Sequence, residues 1–203
     1  MVTVAVVGAG AWGKNHIRVF SELPNVRLKY ICDVDPSKLA PMRKVFPQST
    51  GIDCFDPILE DPEVKGVVIA SSAISHAPLA KAALLADKDV LVEKPMALNP
   101  EDAEEIFSLA EERKRVLMVG HLLIYHPVVD RLKEMMVSGE LGRIHYIYTQ
   151  RINLGIIRQD ENALWSFAPH DVSVILHLLG EEPTIVSARQ SGNRLYVVPD
   201  RAE

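Results

Sequence analysis

V-T-V-A-V-V-G-A-G-A-W-G-K-N-H, residues 2–16, decides the fold. Its first half is a short apolar run rich in valine and closed by glycine, which reads as a strand buried on both faces. Trp12, His16, Ile17 and Phe20 then recur at helical spacing over 11–22. Between strand and helix, Gly8 allows a tight turn, Gly10 lets the backbone approach a pyrophosphate, and Gly13 lets helix and strand pack closely. The first helical turn, which carries Ala11 and Trp12, presents unpaired N–H groups and the positive end of its dipole to such an anion. Asp33 ends a second strand, V-R-L-K-Y-I-C-D at 26–33, and stands 20 residues beyond Gly13. An acid placed there accepts a hydrogen bond from a ribose 2′-OH and repels a 2′-phosphate, which favours NAD over NADP.

The same alternation continues outward. Pro36 opens a helix, G-V-V-I-A-S at 66–71 is another buried run, 75–86 is an alanine-rich helix, and D-V-L-V-E-K at 89–94 is a strand. Asn99, Pro100 and the acids behind them have the make-up of a helix start, and V-L-M-V-G at 116–120 closes the series. Strand and helix in alternation predict an α/β fold, a doubly wound parallel Rossmann sheet covering 1–121. After that the pattern changes. A helix over 126–138, a strand over 143–153, a loop at 154–164, a helix over 169–179 and a strand at 184–190 predict an α+β domain over 122–203.

Composition sets the class. The 203 residues are 48% hydrophobic and 24% charged, with a formal charge of −5. That balance describes a globular cytoplasmic protein and gives no electrostatic reason for nucleic acid or an anionic membrane as partner. The densest basic run, E-E-R-K-R at 111–115, reads as a solvated helix end. Cys32 and Cys54 fit no zinc spacing and read as reduced core thiols, and no metal site is expected.

E-K-P at Glu93, Lys94 and Pro95 ends one of the strands. An ammonium at the carboxyl end of a parallel strand points to the crevice where ligands bind in open α/β sheets, although a solvated lysine is the ordinary alternative. Taken together, the chain resembles the glucose–fructose oxidoreductase/inositol dehydrogenase (Gfo/Idh/MocA) family. The resemblance rests on G-A-G-A-W-G-K-N-H, on S-S-A-I-S-H at 71–76, on V-L-V-E-K-P at 90–95, and on V-G-H-L-L-I-Y-H-P at 119–127. A histidine-bearing helix ending in L-L-G completes it.

The resemblance implies NAD(P)-dependent hydride transfer at a secondary hydroxyl of a sugar, sugar nucleotide or cyclitol, by a homo-oligomer. It makes Lys94 the residue beside nicotinamide and reacting carbon, with Pro95 often cis. Ser71, Ser72, His76, Glu93, Lys94 and Pro95 join the glycine loop as candidate cofactor contacts. His170, in W-S-F-A-P-H-D, matches the family's general acid/base, ten residues before Gly180. Two departures stand out: Ser166 and Ser173 occupy positions where many members carry acids.

Asp171 follows His170 without facing it, and reads as a substrate contact or as a cap near the helix start. His121, Tyr125, Arg151, Arg158 and Asn162 are further candidates for substrate. His126 opens a helix, while His16, His145 and His177 read as core or surface residues. The stretch from Asn153 to Asp171 looks like a subgroup associated with nucleotide sugars of surface polysaccharides. The 23 residues after Gly180 are fewer than the family's second sheet requires, so the second domain is expected to be truncated, either as a fragment of a longer enzyme or as a short member that borrows sheet from a partner, and this chain to be catalytically impaired. Two other readings stay open: a non-catalytic NAD-binding regulatory or assembly module, and different chemistry on the same fold through a transient ketone.

Overall fold

The valine-rich run forms strand β1 (Val2–Val7), and its residues alternate between two cores. Val4 and Val6 join Ile17, Leu28, Ile31 and Leu39 on one face, while Ala5 and Val7 join Val67, Ile69, Leu84 and Val90 on the other. A strand apolar at every position is stable only with both faces covered. Fully burying one such aliphatic side chain contributes roughly 1.5–3 kcal/mol. These features belong to a computed structural model of the chain, which describes residues 1–151, 163–191 and 194–198. The chain divides into two units, Met1–Gly120 and His121–Glu203.

In the first unit, β1 lies between β2 (Val26–Cys32) and β4 (Val64–Ile69), all parallel. With β3 (Thr50–Ile52), β5 (Asp89–Val92) and β6 (Leu117–Val119) they form a six-stranded sheet in the order β3-β2-β1-β4-β5-β6. Strand order reverses between β1 and β4, the place where open α/β sheets open a ligand crevice. The crossover helices are α1 (Ala11–Glu22), α2 (Pro36–Val45), α3 (Asp56–Glu60), α4 (Ala73–Leu85) and α5 (Pro100–Arg113). Asn99 caps α5 by accepting from the Asp102 N–H at 2.7 Å. Lys114 ends that helix in the left-handed conformation, so E-E-R-K-R is the helix end that the sequence suggested.

Beyond the strand ends the ladder continues into the loops. Gly8 N–H donates to Cys32 O, Ala70 N–H to Val7 O, Glu93 N–H to Ile69 O and Gly120 N–H to Val92 O, at 2.7–2.8 Å. These bonds set Gly8, Ala70, Glu93 and Gly120 in a row at the carboxyl ends of the strands.

In the second unit a 3-10 turn (Leu122–Tyr125) leads into α6 (Pro127–Val137). His126 caps α6, its Nδ1 accepting from the Val128 N–H. Helix α7 (Ala163–Leu179) and an antiparallel pair, β7 (Ser187–Ser191) with β8 (Arg194–Val198), follow. Lys133 Nζ donates to the carbonyls of His177 and Leu178, tying α6 to the end of α7.

Several expectations change. The described part of 143–153 is not a strand. An extended segment needs a ladder partner; β7 and β8 pair with each other, and Tyr146 and Tyr148 stay about four-fifths exposed. Helix α7 begins six residues earlier than the pattern suggested, with Pro169 inside it. Asp171 therefore lies well inside the helix and cannot cap its start. Cys54 is exposed where a core thiol was expected, because it falls in the loop beyond the edge strand β3. Cys32 is buried, and burial pushes its thiol up to about 11.

Candidate functional site

Each glycine of the first loop has its own physical reason. Gly8 takes a positive φ of 99°, and a Cβ there would lie 2.5 Å from the Ala70 backbone. A Cβ on Gly13 would come within 1.8 Å of Gly8 O, so helix and turn touch. At Gly10 a Cβ would meet nothing within 4 Å, and the backbone there faces open space. Gly10 is also the N-cap of α1; no side chain caps that end and no acid occupies its first turn. Free N–H groups, a positive dipole end and open space beside a residue without a side chain fit a diphosphate. Trp12, in the first turn, is half exposed.

Asp33 continues β2 and is buried. Its Oδ2 accepts from the Ala9 N–H at 2.7 Å and its Oδ1 from the Asp35 N–H at 2.9 Å. Lys38 Nζ lies 3.3 Å from Oδ1. Thus the acid first of all holds the glycine loop in shape, and lone pairs left over can take a ribose hydroxyl.

Across the switch point, Ser71 and Ser72 open α4. Ser71 Oγ and Ser75 Oγ share a hydrogen bond, and Ser75 Oγ also donates to Ser72 O. His76 takes a different place from the one its motif implied. It is 2% exposed, with Nδ1 2.7 Å from Pro95 O and Nε2 3.1 Å from Ser71 O. Both ring nitrogens lie within hydrogen-bond distance of backbone carbonyls, so His76 bridges the loops after β4 and β5.

The Lys94–Pro95 peptide is cis. Glu93 is buried, and its carboxylate meets His16 Nε2 at 2.7 Å and the Lys94 N–H at 3.3 Å. Burial works to raise the Glu93 carboxyl, but the His16 bond, together with the Lys94 N–H and charge, holds it below the usual glutamate range. His16 is thus part of the E-K-P surroundings, where its helix position alone suggested core or surface. Nothing in local periodicity signals a contact 77 residues away.

The second unit carries the remaining candidates. His170 is half-buried on α7, and its carbonyl accepts from Ser173 Oγ at 2.9 Å. Ser173 therefore bonds the backbone of its own helix. The structure brings Arg151 and Asp171 together, Arg151 Nε donating to both carboxylate oxygens at 3.0 and 2.9 Å. His121 opens the unit, and Tyr125, in the 3-10 turn, is largely exposed. Arg158 and Asn162 lie outside the described residues. Among those described, no helix is long and apolar enough to cross a membrane.

Comparison with known proteins agrees with this geometry. Residues 2–121 match the family model described as an oxidoreductase family with an NAD-binding Rossmann fold, GFO_IDH_MocA. Inositol 2-dehydrogenase of Salmonella typhimurium is 26% identical over 182 residues, 87% of this chain and 54% of that one. A 1-carboxy-3-chloro-3,4-dihydroxycyclohexa-1,5-diene dehydrogenase of Comamonas testosteroni is 32% identical over 146 residues, 72% of this chain and 37% of that one. Among solved structures, GenD2 from gentamicin A biosynthesis, in complex with NAD, superposes with a TM-score of 0.81 at 28% identity. That match covers 92% of this chain and 55% of GenD2. The chain spans little more than half the length of the first curated relatives it matches. It belongs to the Gfo/Idh/MocA family of oxidoreductases and carries that family's NAD-binding Rossmann fold.

Proposed function

We propose that the chain holds NAD, in preference to NADP, on the Gly8–Gly13 loop and serves hydride transfer at a secondary hydroxyl of a cyclitol, sugar or sugar nucleotide. One observation carries the reading: the open cradle at Gly10, the buried Asp33 and the E-K-P turn all lie at the carboxyl ends of the parallel strands, on and beside the switch point between β1 and β4. The N–H groups of Ala11, Trp12 and Gly13 receive the pyrophosphate, and Asp33 receives the adenosine ribose. Asp33 also repels a 2′-phosphate; the half-exposed Lys38 offsets part of that repulsion, so the preference is one of degree.

When bound, the nicotinamide supplies the acceptor for the hydride leaving the substrate carbon. The residues handle binding and the proton. Lys94 donates a hydrogen bond to the reacting oxygen and favours its developing negative charge. His170 takes the hydroxyl proton, a task suited to an imidazole near neutral pH. Arg151 and Asp171, held as a pair, present fixed polar groups for substrate hydroxyls. The relatives' names, an inositol dehydrogenase and a dihydroxycyclohexadiene dehydrogenase, support a ring carrying hydroxyls as the substrate class.

The test is NADH formation at 340 nm across a panel of cyclitols and sugar nucleotides, together with direct titration of NAD. Lys94→Met should abolish NADH formation while NAD still binds. His170→Ala should cost about 100- to 10,000-fold in rate, the range for a lost general base. An unchanged rate in either variant removes that residue from the mechanism. Tight NAD binding with no turnover on any substrate would favour a non-catalytic, cofactor-sensing module.

A further inference from the structure

His16 and Glu93 lie on different elements, α1 and the turn after β5, yet they meet at 2.7 Å. Their side chains are only 19% and 11% exposed. The carboxylate is enclosed from several directions: by the His16 ring, by the Lys94 N–H, and by Gly120, where a Cβ would come within 3.1 Å of it. The imidazole is in turn backed by Phe20, one turn along α1, with ring centroids 6.4 Å apart. The titratable and charged groups shown facing Glu93 are thus His16 from α1 and Lys94 from its own turn.

An apolar pair of the same volume would join helix to turn at no less stability, since shielding a carboxylate from water costs several kcal/mol before any partner compensates. What a hydrogen-bonded pair adds is a fixed distance and direction. This one joins the helix whose N-terminus forms the phosphate cradle to the turn that carries Lys94.

We propose that His16 and Glu93 are positioning residues that lock α1 to the E-K-P turn, so that a dinucleotide seated on the α1 N-terminus meets Lys94 in one fixed geometry. Glu93 acts through its neighbour: its carboxylate orients the Lys94 backbone, and His16 orients the carboxylate. This rests on the reading of Gly8–Gly13 as the NAD cradle and adds a requirement that the loop alone does not contain. Breaking the pair leaves the cradle intact and loosens its relation to Lys94.

The experiment is a double-mutant cycle read by NADH binding. Emission is excited both directly and through energy transfer from tryptophan, since Trp12 sits in the first turn of α1. Wild type comes first: a folded chain that does not bind NADH overturns the cradle reading itself. Given binding, His16→Leu and Glu93→Leu should each weaken NADH about tenfold and shift its emission, and the double variant should be no worse than either single one. His16→Gln, whose side-chain amide also offers an N–H, should restore affinity to within about threefold and recover the emission. Should the leucine variants fail to fold, His16→Ala and Glu93→Ala supply a second cycle with the same expected coupling. Wild-type affinity and emission in the single variants, or losses that simply add, would overturn the proposal.

Discussion

Gly10 and Gly13 look alike in the sequence and differ at atomic scale. A methyl group on Gly13 meets Gly8 O at 1.8 Å, so Gly13→Ala should lower stability by about 3 kcal/mol or more, seen as a loss of midpoint in urea unfolding. At Gly10 the same methyl meets nothing, so Gly10→Ala should melt like wild type yet bind NADH at least tenfold more weakly. A shared phenotype would contradict the two roles. Titration offers a second check. The Lys29 ammonium, 2.5 Å away, holds Asp61 down to about 2. Because the folded value lies below the unfolded one near 4, this pair's contribution is present above about pH 4 and lost as pH falls toward 2. Asp61→Asn should show a shallower stability loss over that window. The sequence revealed the glycines and Asp33 because strand, turn and helix are contiguous and each residue's task is local. It did not reveal His16 with Glu93, Arg151 with Asp171, or His76 between two carbonyls. Those pairings exist only after distant segments fold together.

Elements of the first unit were legible wherever both faces of a strand are buried, since an unbroken valine-rich run has few other stable fates. β1, β4 and β5 read directly from such runs, while β2 carries Arg27 and Lys29 among its apolar residues. The edge strand β3, three residues long, and the five-residue α3 carry too few apolar positions to announce themselves. Helix starts were legible where a cap is present. Asn99 accepts from the Asp102 N–H, and Asn99→Ala should therefore cost about 1 kcal/mol in urea unfolding, while an exposed non-cap change such as Glu104→Ala should cost almost none. For α7 the pattern suggested a start at 169, but the helix runs through Pro169 from Ala163. A proline in mid-helix gives up one backbone bond, which the surrounding turns tolerate at a cost. The supposed strand at 143–153 failed for the opposite reason: alternating polarity was present, but the described part has no neighbouring strand to complete its hydrogen bonds.

At the scale of the molecule, the chain comprises two units, and the first contains the whole parallel sheet with both of its cores. Residues 1–120 alone should therefore unfold cooperatively and bind NADH within a few-fold of the 203-residue chain; a molten fragment without affinity would contradict a self-sufficient first unit. The glycine loop gives the account its centre, because the roles of Asp33, Lys94 and the His16–Glu93 pair depend on a dinucleotide seated there. Backbone amide chemical shifts of the 15N-labelled chain, followed as NAD is added, test this most directly. The account predicts saturable shifts at Gly10, Ala11, Trp12 and Gly13, with smaller ones at Asp33 and Lys94. Unmoved amides in the loop, or shifts confined to the groove between α4 and α5 lined by Pro78, Lys81 and Glu105, would contradict it.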